Sequence, residues 1–123
     1  MSRLSQELRD RTQRFASGII RFYVKLPKER EEVRVLGKQL LRSGTSVVAH
    51  AREASRARSD LEFCSKLDGL LQEADESQLW LELLRDDCGV SGNSIEQLLG
   101  ETSELLAIFT TIVSKIRKKA DFC

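Results

Sequence analysis

The segment from residue 26 to residue 59 constrains the fold more than any other part of this sequence. After Pro27, the single proline of the chain, its apolar residues recur every three or four positions, as on one face of a helix. Small residues are unusually common in this segment, among them Gly37, Ser43, Gly44, Thr45, Ser46, Ala49, Ala51, Ala54, Ser55 and Ala57. A glycine inside a helix costs about 1 kcal/mol relative to alanine. The pattern therefore predicts a long helix that another helix approaches closely.

The composition favours helices over strands. The chain has 123 residues, 41% of them hydrophobic, which is enough to bury a core within one domain. Proline occurs once and glycine seven times, whereas leucine, arginine, glutamate and alanine, which lose little side-chain freedom in a helix, are frequent. We therefore expect a single all-α domain over residues 1–123.

The periodicity divides the chain into four helices with short connections. We predict these helices over about residues 5–25, 28–58, 60–88 and 94–119. The second starts near Pro27, because proline disfavours a helical Leu26 and is itself tolerated in a first helical turn. Connections of a few residues place consecutive helices antiparallel. The expected architecture is an antiparallel up-down-up-down four-helix bundle.

Capping signals mark the later connections. Ser59 and Glu62 have the spacing of a capping box, in which each side chain accepts a backbone N–H at the start of a helix. Ser94 and Gln97 repeat that spacing. Gly89 suits the left-handed residue that commonly ends a helix.

Several classes of protein are disfavoured by the sequence. The apolar runs are far shorter than the roughly 20 residues that span a bilayer, and residues 1–14 are too charged for a signal peptide. The three cysteines, Cys64, Cys88 and Cys123, form no CxxC motif and have one histidine, His50, to assist them, so they do not predict a zinc site. We expect reduced thiols, a cytoplasmic protein and no membrane partner.

Charge is strongly segregated along the chain. Residues 1–60 carry 14 Lys/Arg and 7 Asp/Glu, a net charge of +7, whereas residues 61–123 carry 6 and 12, a net charge of −6. Such a distribution can pair oppositely charged faces within or between subunits, or it can leave one face basic enough to attract nucleic acid.

Five cations of the second predicted helix share one sector, which we call the basic stripe: Arg34, Lys38, Arg42, Arg52 and Arg56. A stripe of this kind can neutralise phosphates, each contact adding counterion-release free energy. The alternative is a solvated face that pairs with acids of a neighbouring helix. Aromatic residues for base stacking do not alternate with these cations, so the pattern predicts contacts to phosphates and none to bases.

A second set of side chains, the polar seam, lies beside the core face of the same helix. It consists of Gln39, Ser43, Ser46, His50 and Glu53, and the expected partner of Glu53 is Lys66 of the third helix or a nearby hydroxyl. A buried glutamate needs such a partner. The seam offers neither an activated nucleophile nor an oxyanion hole, so it predicts structural hydrogen bonding and no catalysis.

The acidic third helix does not predict a metal site. Its carboxylates are Glu73, Asp75, Glu76, Glu82, Asp86 and Asp87. A di-iron bundle requires Glu-x-x-His motifs from two helices, and the single histidine lies on the second helix. Trp80 is expected to anchor the core or an interface. We therefore predict no cofactor and no metal.

Several short motifs together resemble one family. They are LPK at 26–28, VLGKQLLRSGTSV at 35–47, REASRARS at 52–59, EF and KL within 62–67, EADES at 73–77, WL at 80–81 and ELLAIF at 104–109. The sequence resembles the bacterial 23S rRNA intervening-sequence proteins, whose relatives include accessory proteins of diversity-generating retroelements. It departs from the pattern at Val48 and His50, where glycine and asparagine are usual.

The resemblance implies a four-helix bundle that self-assembles, commonly as a ring-like homopentamer. It also implies an association with RNA or with a reverse transcriptase, and no catalytic activity or small-molecule substrate. We therefore expect a non-enzymatic, homo-oligomeric scaffold or adaptor whose basic stripe contacts RNA or a protein partner. The alternative is a self-assembling structural protein with no nucleic-acid role.

Overall fold

Four long helices follow one another in a computed structural model that describes residues 2–120. They are α1 (Gln6–Lys25), α2 (Glu31–Ser55), α3 (Asp60–Asp86) and α4 (Asn93–Ala120). No strand occurs within the described residues. The all-α fold class is therefore confirmed.

Contacts between the helices define an antiparallel up-down-up-down bundle. α2 packs on α1 and on α3, α4 packs on α3 and on α1, and no diagonal pair of helices is in contact within residues 2–120. The antiparallel direction of α1 and α4, for example, follows from Arg11 contacting Glu104 while Gly18 faces Leu98. Of the four neighbouring pairs, α1 and α4 contact each other least.

The core is the apolar stripe of each helix, as the periodicity predicted. Fully buried side chains come from all four helices, with Ile19 on α1, Leu40 on α2, Leu67 on α3 and Phe109 on α4 as examples. Burial of such a side chain contributes about 1.5–3 kcal/mol to folding.

Glycine allows close approach at both seams of α2. A Cβ on Gly44 would lie 2.8 Å from Cγ1 of Ile19, and one on Gly37 would lie 2.8 Å from Cδ1 of Leu26. On the other seam, a Cβ on Gly69 of α3 would lie 2.9 Å from the His50 ring. The buried small residues of α2, such as Gly37 and Gly44, thus serve packing inside the bundle, whereas Ala49 is exposed.

The second helix starts three residues later than predicted. Residues 28–30 form a turn because Lys28 reaches back to the preceding helix. Its ammonium group donates to the carbonyl oxygens of Tyr23, Val24 and Leu26 and lies 4.6 Å from the centroid of the Tyr23 ring. These contacts satisfy carbonyls at the end of α1, where a cation is favoured.

α2 also ends earlier than predicted, and the capping box that follows is altered. The Ser59 hydroxyl accepts from the backbone N–H of Glu62, as the motif predicts. The Glu62 carboxylate, however, accepts from the backbone N–H of Arg58 at 3.0 Å. The helix has stopped by then, because the amide of Ala57 turns back to the carbonyl of Ala54.

Two glycines with positive φ shape the last connection. Gly89 has a φ of 73° and follows the end of α3, in agreement with its predicted role. Gly92 has a φ of 122°, and α4 begins directly after it. Ser94 consequently lies inside the first turn of α4 and is not its cap, so the second predicted capping box is wrong. Cys123 lies outside the described residues.

Candidate nucleic-acid interface

Four of the five cations of the basic stripe are exposed, three on α2 and Arg56 directly after its last residue. Lys38, Arg42, Arg52 and Arg56 face solvent, and none of them pairs with a carboxylate within residues 2–120. Arg34 differs, since it is half-buried and pairs with Glu31 one turn before it. The structure therefore leaves a line of four unneutralised cations on this face.

The stripe consists of two separate pairs. Lys38 and Arg42 lie one turn apart near the start of α2, and Arg52 and Arg56 lie one turn apart near its end. At 1.5 Å per residue, the outer members are about 27 Å apart. Thr45 occupies the same sector between the pairs. The arrangement suits an extended polyanion better than one compact anion.

The polar seam is only partly at a helix contact. Ser43 is buried against α3, whereas Gln39 is exposed. Ser46 donates to the carbonyl of Arg42 in its own helix. The partner of Ser43 is Ser77, whose Oγ lies 2.8 Å from Ser43 Oγ in the core. Sequence reasoning missed Ser77, although its position on the apolar face of α3 was a usable signal.

At the other end of the seam, three ionisable side chains meet. Lys66 Nζ lies 3.6 Å from Glu53 Oε1, the partner that the sequence indicated. His50 Nδ1 lies 3.2 Å from the same oxygen, and the imidazole ring packs against Gly69. The imidazole therefore lies in the contact between α2 and α3, with 30% of its side-chain surface exposed.

Other chemistry-bearing side chains of the described part have structural positions. Cys64 and Cys88 are free and buried, and burial raises the pKa of the Cys64 thiol. Within residues 2–120, no group of three or more His, Cys, Asp or Glu side chains could hold a metal ion. Trp80 packs against the core, half-buried.

No helix in the described part of the chain combines the length and apolarity that crossing a membrane requires.

A cleft between α1 and α4 is the feature that sequence reasoning missed. It has a volume of about 850 Å³ and lies where these two helices diverge toward the α3–α4 connection. Phe15, Phe22 and Leu98 contribute to its apolar floor, while its walls include Arg14, Arg21 and Lys25. The signal was present in the sequence as basic residues at spacings of seven and four on the first helix.

Arg11 also lines the cleft, but its charge is neutralised by neighbouring carboxylates. Arg11 forms a bidentate pair with Glu101 at 2.8 and 2.9 Å and also contacts Glu104 at 2.7 Å. These hydrogen bonds raise the pKa of the Arg11 guanidinium. Arg14, Arg21 and Lys25, in contrast, have no ion-pair partner within residues 2–120. We call these three residues the cleft cations.

The geometry defines a class of protein: an antiparallel four-helix bundle with two basic surfaces, one on α2 and one between α1 and α4. The chain belongs to the 23S rRNA-intervening sequence protein family, whose profile matches residues 5–111. The family resemblance seen in the sequence is thereby confirmed.

A solved structure supports the fold independently. It is a protein with unknown function from the S23 ribosomal protein family of Bacteroides thetaiotaomicron, 34% identical to this chain. The match has a TM-score of 0.77 and covers 85% of this chain and 96% of that chain. No curated protein matches the chain significantly.

Proposed function

We propose that this protein is a non-enzymatic, self-assembling scaffold that binds RNA through the phosphate backbone. The exposed cations of the basic stripe are the contact residues: Lys38, Arg42, Arg52 and Arg56. The RNA is bound alone or as part of a ribonucleoprotein, with a reverse transcriptase as one protein partner that the family resemblance implies.

The observation that carries the proposal is the lack of internal neutralisation on α2. Bundles commonly balance exposed cations with carboxylates one turn away. Arg34 follows that rule through Glu31, but the four cations named above do not. Phosphates would supply the missing negative charge, and release of their counterions would favour binding.

The aromatic side chains support an RNA contact that does not depend on base identity. Within residues 2–120, Phe15, Phe22, Phe63 and Phe109 are buried in the core and Tyr23 and Trp80 are half-buried, so no aromatic ring is fully exposed for stacking. Stacking on exposed aromatic rings is how many proteins hold unpaired bases. Contacts through Lys and Arg alone position a nucleic acid without reading its sequence.

The name of the family also supports RNA as the ligand, since it refers to 23S rRNA-intervening sequences. The structural position of His50 and the burial of both described thiols support a non-enzymatic role. We expect the scaffold to assemble as a homopentamer in the cytoplasm. Its mass in solution would then be near five times 14.0 kDa.

The test is the salt dependence of RNA affinity. In the test variant, Lys38, Arg42, Arg52 and Arg56 are replaced by glutamine, which has similar helix propensity. Each phosphate contact contributes close to one unit to the slope of log affinity against log salt concentration, about 0.7 for a single strand. We expect this variant to bind a mixed-sequence RNA more weakly and with a slope reduced by about 3.

A matched control makes the same kind of substitution, by glutamine, at cations that already have carboxylate partners. Arg34→Gln with Arg85→Gln serves this purpose, because Arg34 pairs with Glu31 and Arg85 pairs with Asp86. We expect a slope close to that of the parent. Equal slopes for parent and test variant would refute the α2 contact. A parent that binds no RNA at low salt would favour a purely structural, self-assembling protein.

A further inference from the structure

The cleft cations form a regular line along α1. Arg14, Arg21 and Lys25 are exposed and are separated by seven and then four residues, which places them on one side of the helix. The rises between them are about 10 and 6 Å. Gly18 lies one turn after the first of these cations and is half-buried, without a side chain to fill the space beside Leu98.

The outer face of α3 carries the opposite charge at the same spacing. Asp75, Glu82 and Asp86 are exposed and are likewise separated by seven and then four residues. We call them the α3 acidic stripe. Arg85 donates to Asp86 at 2.7 Å, which leaves the stripe with a net negative charge. These acids are far from the cleft cations of the same chain, because α1 and α3 are diagonal in the bundle.

An exposed leucine on α3 corresponds to the glycine on α1. Leu79 is 45% exposed and lies four residues after Asp75, just as Gly18 lies four residues after Arg14. Exposed leucines are ordinary when scattered, but this one lies within a charged stripe that has a complement elsewhere on the molecule. At Gly18 a Cβ would lie 3.5 Å from Cδ2 of Leu98, so an apolar side chain placed over this glycine would contact Leu98.

We propose that the α3 acidic stripe of one copy docks in the α1/α4 cleft of a second copy. This inference rests on the self-assembly proposed above and specifies its contact. Three charge pairs form in register, Arg14 with Asp75, Arg21 with Glu82 and Lys25 with Asp86. Leu79 inserts over Gly18 and covers the partly exposed Leu98 beside it.

The spacing also determines the relative direction of the two helices that meet in the contact. A separation of seven followed by four matches only when both helices run the same way, since the reverse order would be four followed by seven. α1 and α3 run in the same direction within one bundle, so neighbouring bundles lie side by side with parallel axes. The contact joins two different faces, and such a contact closes into a ring when the rotation between copies fits.

Charge reversal tests the contact by mass. One variant carries Arg14→Glu, Arg21→Glu and Lys25→Glu, and a second carries Asp75→Lys, Glu82→Lys and Asp86→Lys. All six side chains are exposed, so the helical content of both variants should match that of the parent. We expect light scattering with size exclusion to show a multimeric parent, whereas both variants fall to the 14.0 kDa of one chain.

Restoration is the stricter test. A chain carrying all six reversals again has complementary faces, and we expect it to recover the mass of the parent. Mixing the two triple variants provides a second measurement, since each then complements the other and an equimolar mixed assembly should form. A matched control, Lys115→Glu with Lys118→Glu on exposed positions at the other end of α4, should keep the mass of the parent.

The possible failures are distinguishable. If both triple variants keep the mass of a multimeric parent, the contact is wrong while self-assembly stands. If neither the six-fold reversal nor the mixture restores a multimer, the pairing between these two stripes is likewise refuted. A parent that is monomeric at micromolar concentration would overturn the proposed self-assembly together with this contact.

Discussion

Gly44 is the residue at which helix packing depends most directly on a missing side chain. The position faces Ile19 so closely that a Cβ would lie within 2.8–3.2 Å of three of its side-chain atoms. A larger residue must move α1 away from α2. Overpacking of this kind typically costs about 1–3 kcal/mol, and more when a whole leucine is inserted.

We therefore expect Gly44→Leu to lower the free energy of unfolding by at least about 1–3 kcal/mol. Gly100 provides the control, because it is also helical but has no atom within 4 Å of its Cβ position. Gly100→Leu should raise stability by up to about 1 kcal/mol through helix propensity. Urea unfolding followed by circular dichroism measures both, and a Gly44→Leu chain with the parental midpoint would contradict the close approach.

The buried hydroxyls of Ser43 and Ser77 form a coupled pair. Ser77 can donate to the carbonyl of Glu73 at 2.9 Å and accept from Ser43 at 2.8 Å. A hydrogen bond of this kind contributes about 1 kcal/mol. When one serine is removed, the other keeps only the bond within its own helix.

We expect Ser43→Ala and Ser77→Ala each to destabilise the fold by about 1 kcal/mol, while the double variant costs less than the sum. Ser46→Ala combined with Ser77→Ala is the control, since Ser46 bonds only to its own helix. The destabilisations caused by these two control substitutions should add. Additive costs for Ser43 and Ser77 as well would mean that the hydroxyls do not interact.

At the scale of the helices, the α2–α3 connection depends on one carboxylate. The backbone N–H of Arg58 donates to Glu62 and holds the pKa of Glu62 below its ordinary value of 4.5. The folded pKa is lower than the unfolded one, so Glu62 stabilises the fold above pH 4.5. This contribution is lost as the pH falls through the folded pKa.

We expect Glu62→Gln to melt at a lower temperature than the parent at pH 7, because the amide keeps an acceptor oxygen but not the charge. The difference should disappear as the pH falls below 4.5, where the parental carboxyl becomes protonated. Glu29→Gln, an exposed position on the α1–α2 turn, should show no such trend. A pH-independent difference for Glu62→Gln would rule out the ionic contribution.

At the scale of the whole molecule, the two proposed surfaces are compatible. The α1/α4 cleft and the α3 acidic stripe would be covered in an assembly, whereas the exposed cations of the basic stripe belong to α2 and the residue directly after it. Each copy added to a ring would therefore bring another pair of cationic patches to the same assembly. Binding of a long RNA by several copies would raise its affinity through effective concentration.

In the bundle, the segregation of charge along the chain corresponds to an uneven distribution of ion pairs. Within the described residues, Arg11 is the cation of the basic half that pairs with Glu101 and Glu104 of the acidic half across a helix contact. The cleft cations and the exposed cations of the basic stripe have no such partner within residues 2–120. They are the cations on which both proposed contacts depend.

The sequence by itself determined the four helices, their antiparallel order and most of the core. Apolar periodicity is a local property, and connections of a few residues leave consecutive helices no other arrangement. It also identified the basic stripe, because residues on one helix share a face by spacing alone. Helix ends were less predictable, as the bonding of Lys28 to carbonyls of the preceding helix and the altered bonding of Glu62 show.

Apart from Glu53 and Lys66, which the sequence had paired, the tertiary structure decided which side chains meet across helices. It joined Ser43 of α2 to Ser77 of α3 and opened the cleft between α1 and α4. The divergence of these two helices depends on the packing of residues about 80 positions apart, such as Gly18 and Leu98. No local sequence pattern specifies the distance between α1 and α4, because this distance results from the balance of contacts over the whole bundle.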